Sequence, residues 1–253
     1  MVLRARALRG ALGCLLLLSG CAAPAGVREW DPWEGFNRKI FWFNERIDEY
    51  ALEPAAKGWE AITSHGFRDS VADFGENLKF PVHLVNNLLQ FELGDAGRCT
   101  ARFVVNTTVG MLGFFDPATV WGLPAERADF GETLARWGLE EGPYLVLPFF
   151  GPSNPRDAVG LAGDWYVART LPLMDEAFLA IYVTSTVNWR ALNSDNIAEA
   201  RRASFDYYTA VRSAWLDNRR RAIGVMLPPE EPPPGEPSEP LEDPYDVDSA
   251  INP

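Results

Sequence analysis

Histidine is nearly missing from this chain: there are two in 253 residues, His65 and His83. That is too few for a histidine metal cluster, and no H-E-x-x-H helix, G-x-S-x-G elbow, C-x-x-C pair or G-x-x-x-x-G-K phosphate loop occurs in the sequence. His65, before Gly66, reads as a helix-end residue and His83 as half-buried. Asp129 and Glu132 read as a helix cap and a first-turn acid rather than paired catalytic carboxylates. No catalytic residue, metal site or cofactor is therefore expected. Positive charge is also short, with 23 Lys and Arg against 35 Asp and Glu, and without a basic face nucleic acid is excluded as a partner. No sustained period-2 alternation bounded by turn residues appears, so a sheet is not expected. Nor does any apolar run reach the ~20 residues needed to cross a bilayer core.

Three cysteines are present, and two fall at the N-terminus. Arg4, Arg6 and Arg9 form a positive region, 11–20 is almost wholly apolar, and Leu18-Ser19-Gly20 precedes Cys21. This is the pattern of a secretory signal. The last four residues resemble a lipobox, in which the cysteine sulfur is acylated and cleavage exposes its amine. Residues 1–20 are accordingly expected to be removed, with Cys21 the lipidated first residue of a 21–30 linker. Several acyl chains on one residue give a stable tether. Ala22 stands where many Gram-negative lipoproteins carry the Asp that retains them at the inner membrane, which favours the periplasmic face of the outer membrane. Cys99 is then left without a partner in an oxidising compartment and reads as a small buried residue.

The opposite end differs in kind. Segment 228–253 holds nine of the twenty prolines and eight acids with no base, a composition that cannot bury enough apolar area to offset its ordering entropy. It is expected to be a disordered acidic tail. Between the ends, 31–227 is long enough for one domain with a core of its own. All nine tryptophans lie between Trp30 and Trp215, as they would in an aromatic core or at a membrane interface.

Asp31-Pro32-Trp33-Glu34 carries the signals of a helix start. Trp33, Phe36, Ile40, Phe43, Ile47 and Tyr50 then recur at gaps of three and four, while Phe41 and Trp42 fall off that stripe. A helix apolar on more than one side is either buried all round or in contact with lipid. Further helices are expected at 54–64, 66–78, 81–92, 95–110, 129–138, 156–170, 173–190 and 194–223, the last capped by Ser194. The fold class is thus all-α.

Two uncharged stretches interrupt the pattern, 103–115 and 142–155. Four prolines exclude a regular helix from the second. It is either a buried irregular crossover or short hairpin, or a loop that touches acyl chains or lines an apolar passage.

The blocks that remain resemble the VacJ/MlaA lipoprotein family. Asp31-Pro32-Trp33-Glu34-Gly35-Phe36-Asn37-Arg38 is similar to its D-P-x-E-x-x-N-R opening. Arg102 with Phe103-Val104-Val105-Asn106-Thr107, Gly110, Gly113-Phe114 and Asp116 is similar to R-F-x-x-N-T-x-x-G-x-x-G-x-x-D. Phe130-Gly131-Glu132-Thr133-Leu134 and Gly138 follow, then Gly142-Pro143-Tyr144 through Gly151 to Arg156-Asp157. Asp206, Tyr208, Val211-Arg212 and Ala214 close the match.

The resemblance implies a ring-like multi-helix domain in the inner leaflet of the outer membrane. Such a protein passes stray outer-leaflet phospholipid through an amphipathic channel to a soluble periplasmic carrier, and associates with a trimeric porin. On that view lipid or channel contacts fall to Phe41, Trp42, Phe114, Phe115, Tyr144, Leu147, Phe149 and Phe150. Loop hinges fall at Gly142 and Gly151, and head-group contacts at Arg156, Arg169 and Arg190, whose alternative is ordinary solvation or ion pairing. Two competitors are a scaffold that only docks a porin, and a periplasmic lipid hydrolase.

Overall fold

A computed structural model describes residues 31–170 and 178–224. The expected signal, the lipidation site Cys21, the linker 21–30 and the tail 228–253 lie outside the described residues, as does the start of the helix expected from 173. What is described is helical. The helices are α1 (Glu34–Ile47), α2 (Glu53–Ile62), α3 (His65–Leu78), α4 (Phe80–Leu89), α5 (Leu93–Thr108), α6 (Pro117–Val120), α7 (Phe130–Arg136), α8 (Pro155–Arg169), α9 (Phe178–Leu192), α10 (Ser194–Ala203) and α11 (Tyr207–Ala222). No described helix is long and apolar enough to cross a membrane.

Side-chain caps start several helices where the sequence provides them. The Ser64 side chain accepts from the Phe67 amide, Asp129 from Glu132 and Asn154 from Asp157. Three boundaries differ from expectation. Asp31 caps a turn rather than the helix itself: its side chain accepts from the Trp33 amide at 3.2 Å and helical geometry begins at Glu34. Between α1 and α2 the chain widens into a π turn, Asp48–Leu52. The long helix expected over 194–223 breaks into α10 and α11. At the break Asp206 accepts two bonds from Arg38 of α1, at 3.2 and 2.5 Å, and a further bond from Thr209. A tertiary ion pair thus overrides local helical propensity.

The one sheet among the described residues is a hairpin, β1 (Leu145–Leu147) and β2 (Gly151–Ser153), with Val146 opposite Pro152. It lies inside the second uncharged stretch and corrects the expectation that no sheet would form. Alternation fails as a signal here because each strand is three residues long. Neighbouring elements touch in a closed circuit. From α1 it runs through the π turn and α2 to α9, α3, α4, α8, then α11 and the hairpin, and so back to α1.

Candidate functional site

Among the described residues the largest fully buried side chains are Val146, Asn37, Asn86, Asn154, Asn188 and Thr133, five of these six polar. The exposed ones include Trp42 at 61%, Tyr50 at 72%, Phe149 at 69%, Val120 and Trp121. This inverts the usual arrangement of a water-soluble protein. Helix α1 shows how it arises. Asn37, Phe41, Asn44 and Asp48 follow one another at helical spacing and face inward, while Trp33, Phe36, Ile47 and Tyr50 of the apolar stripe face out. Phe41, expected outward, instead packs edge-on to Tyr208 with ring centroids 5.4 Å apart, in the cluster of Tyr144, Val146 and Tyr208.

Each inward polar group of α1 has a partner. Asn37 Nδ2 donates to Asp31 Oδ1 (2.9 Å) and to the Tyr144 carbonyl (3.0 Å), and Asn37 Oδ1 accepts from the Val146 amide (2.9 Å). Asn44 repeats the clamp two turns on, donating to the Leu147 carbonyl (2.9 Å) and accepting from the Phe149 amide (2.8 Å). Asp31 also accepts from the Tyr208 hydroxyl and faces Arg212 at 3.6 Å. Asp48 takes Arg190 (2.7 Å) and Arg201 (2.8 Å), and Glu53 joins Arg190 at 3.2 Å. Buried groups of this kind must be hydrogen-bonded or paired.

The hairpin tip leaves the clamp. Phe149 takes a left-handed backbone, φ 67°, that costs a non-glycine residue on the order of 1 kcal/mol. It is held there by the Asn44 bond and by an edge-on contact with Phe43 at 5.4 Å. The expected hinges Gly142 and Gly151 have φ of 70° and 79°, conformations open to glycine and poorly tolerated by other residues. Behind the hairpin is a recess of about 300 Å³ lined in part by Leu147, Phe150, Trp215 and Arg219. Arg219 ties Asp129 (2.6 Å) and Asp157 (2.7 Å) together and lies 3.3 Å from Glu132. Burial, with Asp129 adding repulsion, pushes the Glu132 carboxyl up to about 7.

A larger cleft, about 600 Å³, opens between α3, α5 and α9. Phe80, Phe103, Trp189 and Leu192 supply its apolar wall, and Asp73, Glu76, Lys79, His83, Arg102 and Arg127 its polar one. His83, Cys99, Arg102, Phe103, Asn106 and Asp116, all singled out from the sequence, line it, but none of the expected lipid, channel or head-group contacts does, because its walls come from α3, α4, α5, α9 and residues 125–127, which are far apart in the chain. Of those singled out, Leu147 and Phe150 line the smaller recess, Tyr144 is buried, Phe114 stacks on Phe74 at 4.6 Å, and Phe115 is exposed. Arg156 and Arg190 are buried, Arg156 beside Asp157 at 2.9 Å and Arg190 among the carboxylates named above, while Arg169 is exposed. Among the described residues no group of three or more His, Cys, Asp or Glu is placed to hold a metal.

The described residues form a helical protein with polar side chains buried, aromatic ones exposed and a cleft with one apolar and one polar wall. The chain belongs to the MlaA lipoprotein family, whose model matches residues 29–222. It is 34% identical to the intermembrane phospholipid transport system lipoprotein MlaA of Escherichia coli over 92% of this chain and 94% of that one. Identity to the Haemophilus influenzae protein of the same name is also 34%, over 82% and 86%. An uncharacterised Rickettsia felis protein is 37% identical over 79% of each. A solved structure described as the structural basis for maintenance of bacterial outer membrane lipid asymmetry superposes with a TM-score of 0.65 at 30% identity. It covers 77% of this chain and all of that one.

Proposed function

We propose that this chain is a non-enzymatic outer-membrane lipoprotein, anchored at Cys21 on the periplasmic face. It draws phospholipid from the outer leaflet through its amphipathic interior and hands it to a soluble periplasmic carrier, so preserving lipid asymmetry. A trimeric porin holds it in place. The observation that carries this reading is the inverted polarity: buried asparagines and ion pairs, exposed Trp42, Phe115, Trp121 and Phe149. Aromatic residues of this kind favour the interfacial layer of a bilayer, and a polar interior lets a charged head group pass. Support also comes from the relatives named for intermembrane phospholipid transport.

The hairpin is the movable wall, with Gly142 and Gly151 as its hinges. Leu147→Asp places a charge in the recess behind it. Lipid transfer to a periplasmic acceptor is expected to fall to background, with porin co-purification unchanged. Transfer that survives this change removes the hairpin from the mechanism. A deletion strain without surface-exposed phospholipid counts against transport altogether.

A further inference from the structure

The carboxylates on the 600 Å³ cleft are committed to partners, with one exception. Glu76 accepts from Arg127 Nε (2.6 Å) and Lys79 (3.0 Å), Asp116 from Arg102 (2.7 Å) and Asn106 (2.9 Å), and Glu126 from Arg98 (2.9 Å). Asp73 lines the same cleft and makes no hydrogen bond or ion pair among the described residues. It is partly buried, and burial with the nearby charges of Asp116 and Asp69 pushes its carboxyl up against the opposing charge of Arg102, which bonds Asp116 instead.

The rest of the wall completes a pattern. Arg127 and Lys79, both lining the cleft, keep most of their side chains in solvent, 70% and 62% exposed, and so retain donors for a second anion. The same cleft is lined by Trp189 and the stacked pair Phe80 and Phe103, ring centroids 4.2 Å apart. Aromatic faces attract alkylammonium groups, and basic side chains attract phosphate. The volume lies within the range of small-ligand sites, about 300–1,000 Å³.

We propose that Asp73 is the counter-charge for the ammonium of a zwitterionic phospholipid head group, whose phosphodiester is met by Lys79 and Arg127, so that the cleft prefers zwitterionic to anionic lipid. This rests on the transport reading above and adds a preference to it.

The test uses the full-length lipidated protein reconstituted into vesicles of equimolar phosphatidylethanolamine and phosphatidylglycerol, extracted in mild detergent, with bound lipid quantified by mass spectrometry. Bound phosphatidylethanolamine is expected to exceed phosphatidylglycerol roughly fivefold, the scale of one partly buried ion pair. Asp73→Asn should abolish that excess, Asp73→Glu should keep it, and Asp73→Lys should reverse it. Bound lipid that mirrors the vesicle composition, or an excess that persists in Asp73→Asn, overturns the preference and leaves transport standing. A wild-type protein that captures no phospholipid overturns both.

Discussion

The two uncharged stretches, 103–115 and 142–155, look alike as sequence and are held in different ways. The second is gripped from within. Asn37 and Asn44 of α1 bond its backbone at four points, and Tyr144 and Val146 sit in the core. The first ends α5 and then curls over the surface, leaving Val109, Met111, Leu112 and Phe115 exposed. Its hold comes mostly from its own backbone, with Gly113 and Phe115 amides returning to Asn106 and Gly110 carbonyls and Asn77 donating to Leu112 from α3. Apolar residues therefore do not decide what is fixed in this protein. Asparagines do, by satisfying backbone groups that have no ladder partner.

The sharpest way to break that contrast is Asn37→Ala. It leaves three buried bonds unmade and should lower unfolding stability by about 3 kcal/mol, with hydrogen exchange rising first in 144–147. Gly110→Ala probes the other stretch. A Cβ there would lie 2.5 Å from the Asn106 carbonyl oxygen and collide with that of Phe115. The expected cost is about 2 kcal/mol, with increased exchange confined to 106–116. If either substitution loosens both stretches equally in exchange experiments, the distinction fails.

The smallest effect belongs to the wall behind the hairpin. Glu132 has its folded pKa raised from 4.5 to about 7. The folded state thus favours its protonated form. That contribution to stability is whole below about pH 4.5 and is lost as pH rises through about 7. Glu132→Gln should stabilise by about 1 kcal/mol at pH 8 and change little at pH 4, measured by denaturant unfolding at both. A stabilisation equal at the two pH values would mean that the carboxyl is not held in this environment.

Local periodicity made much of the fold legible. The helices around 66–78 and 156–170 and the breaking of helix by prolines after 142 could be read from the sequence. What spacing left open was facing. Trp33, Phe36, Ile47 and Tyr50 turn outward and the polar residues Asn37 and Asn44 turn in, because the two asparagines bond hairpin groups more than a hundred positions away. Arg190 illustrates the same limit, since its partners Asp48 and Glu53 lie 142 and 137 positions away. Asn37 and Asn106 were visible as motif letters, and their geometry shows what they do. Asp73 left no mark in the sequence, because an unpaired acid is defined only by what surrounds it.

The Asp31 clasp has a consequence for how the protein is made. The first described residue bonds Tyr208, 177 positions later, and Arg38 bonds Asp206 at a separation of 168. Closing such distant contacts is slow and cannot begin until both ends are present. A chain emerging N-terminus first must wait until α11 has emerged before these contacts can close. For this protein the last helix to arrive is the one that shuts the circle, so a stop codon a few dozen residues early would cost the entire structure rather than its edge.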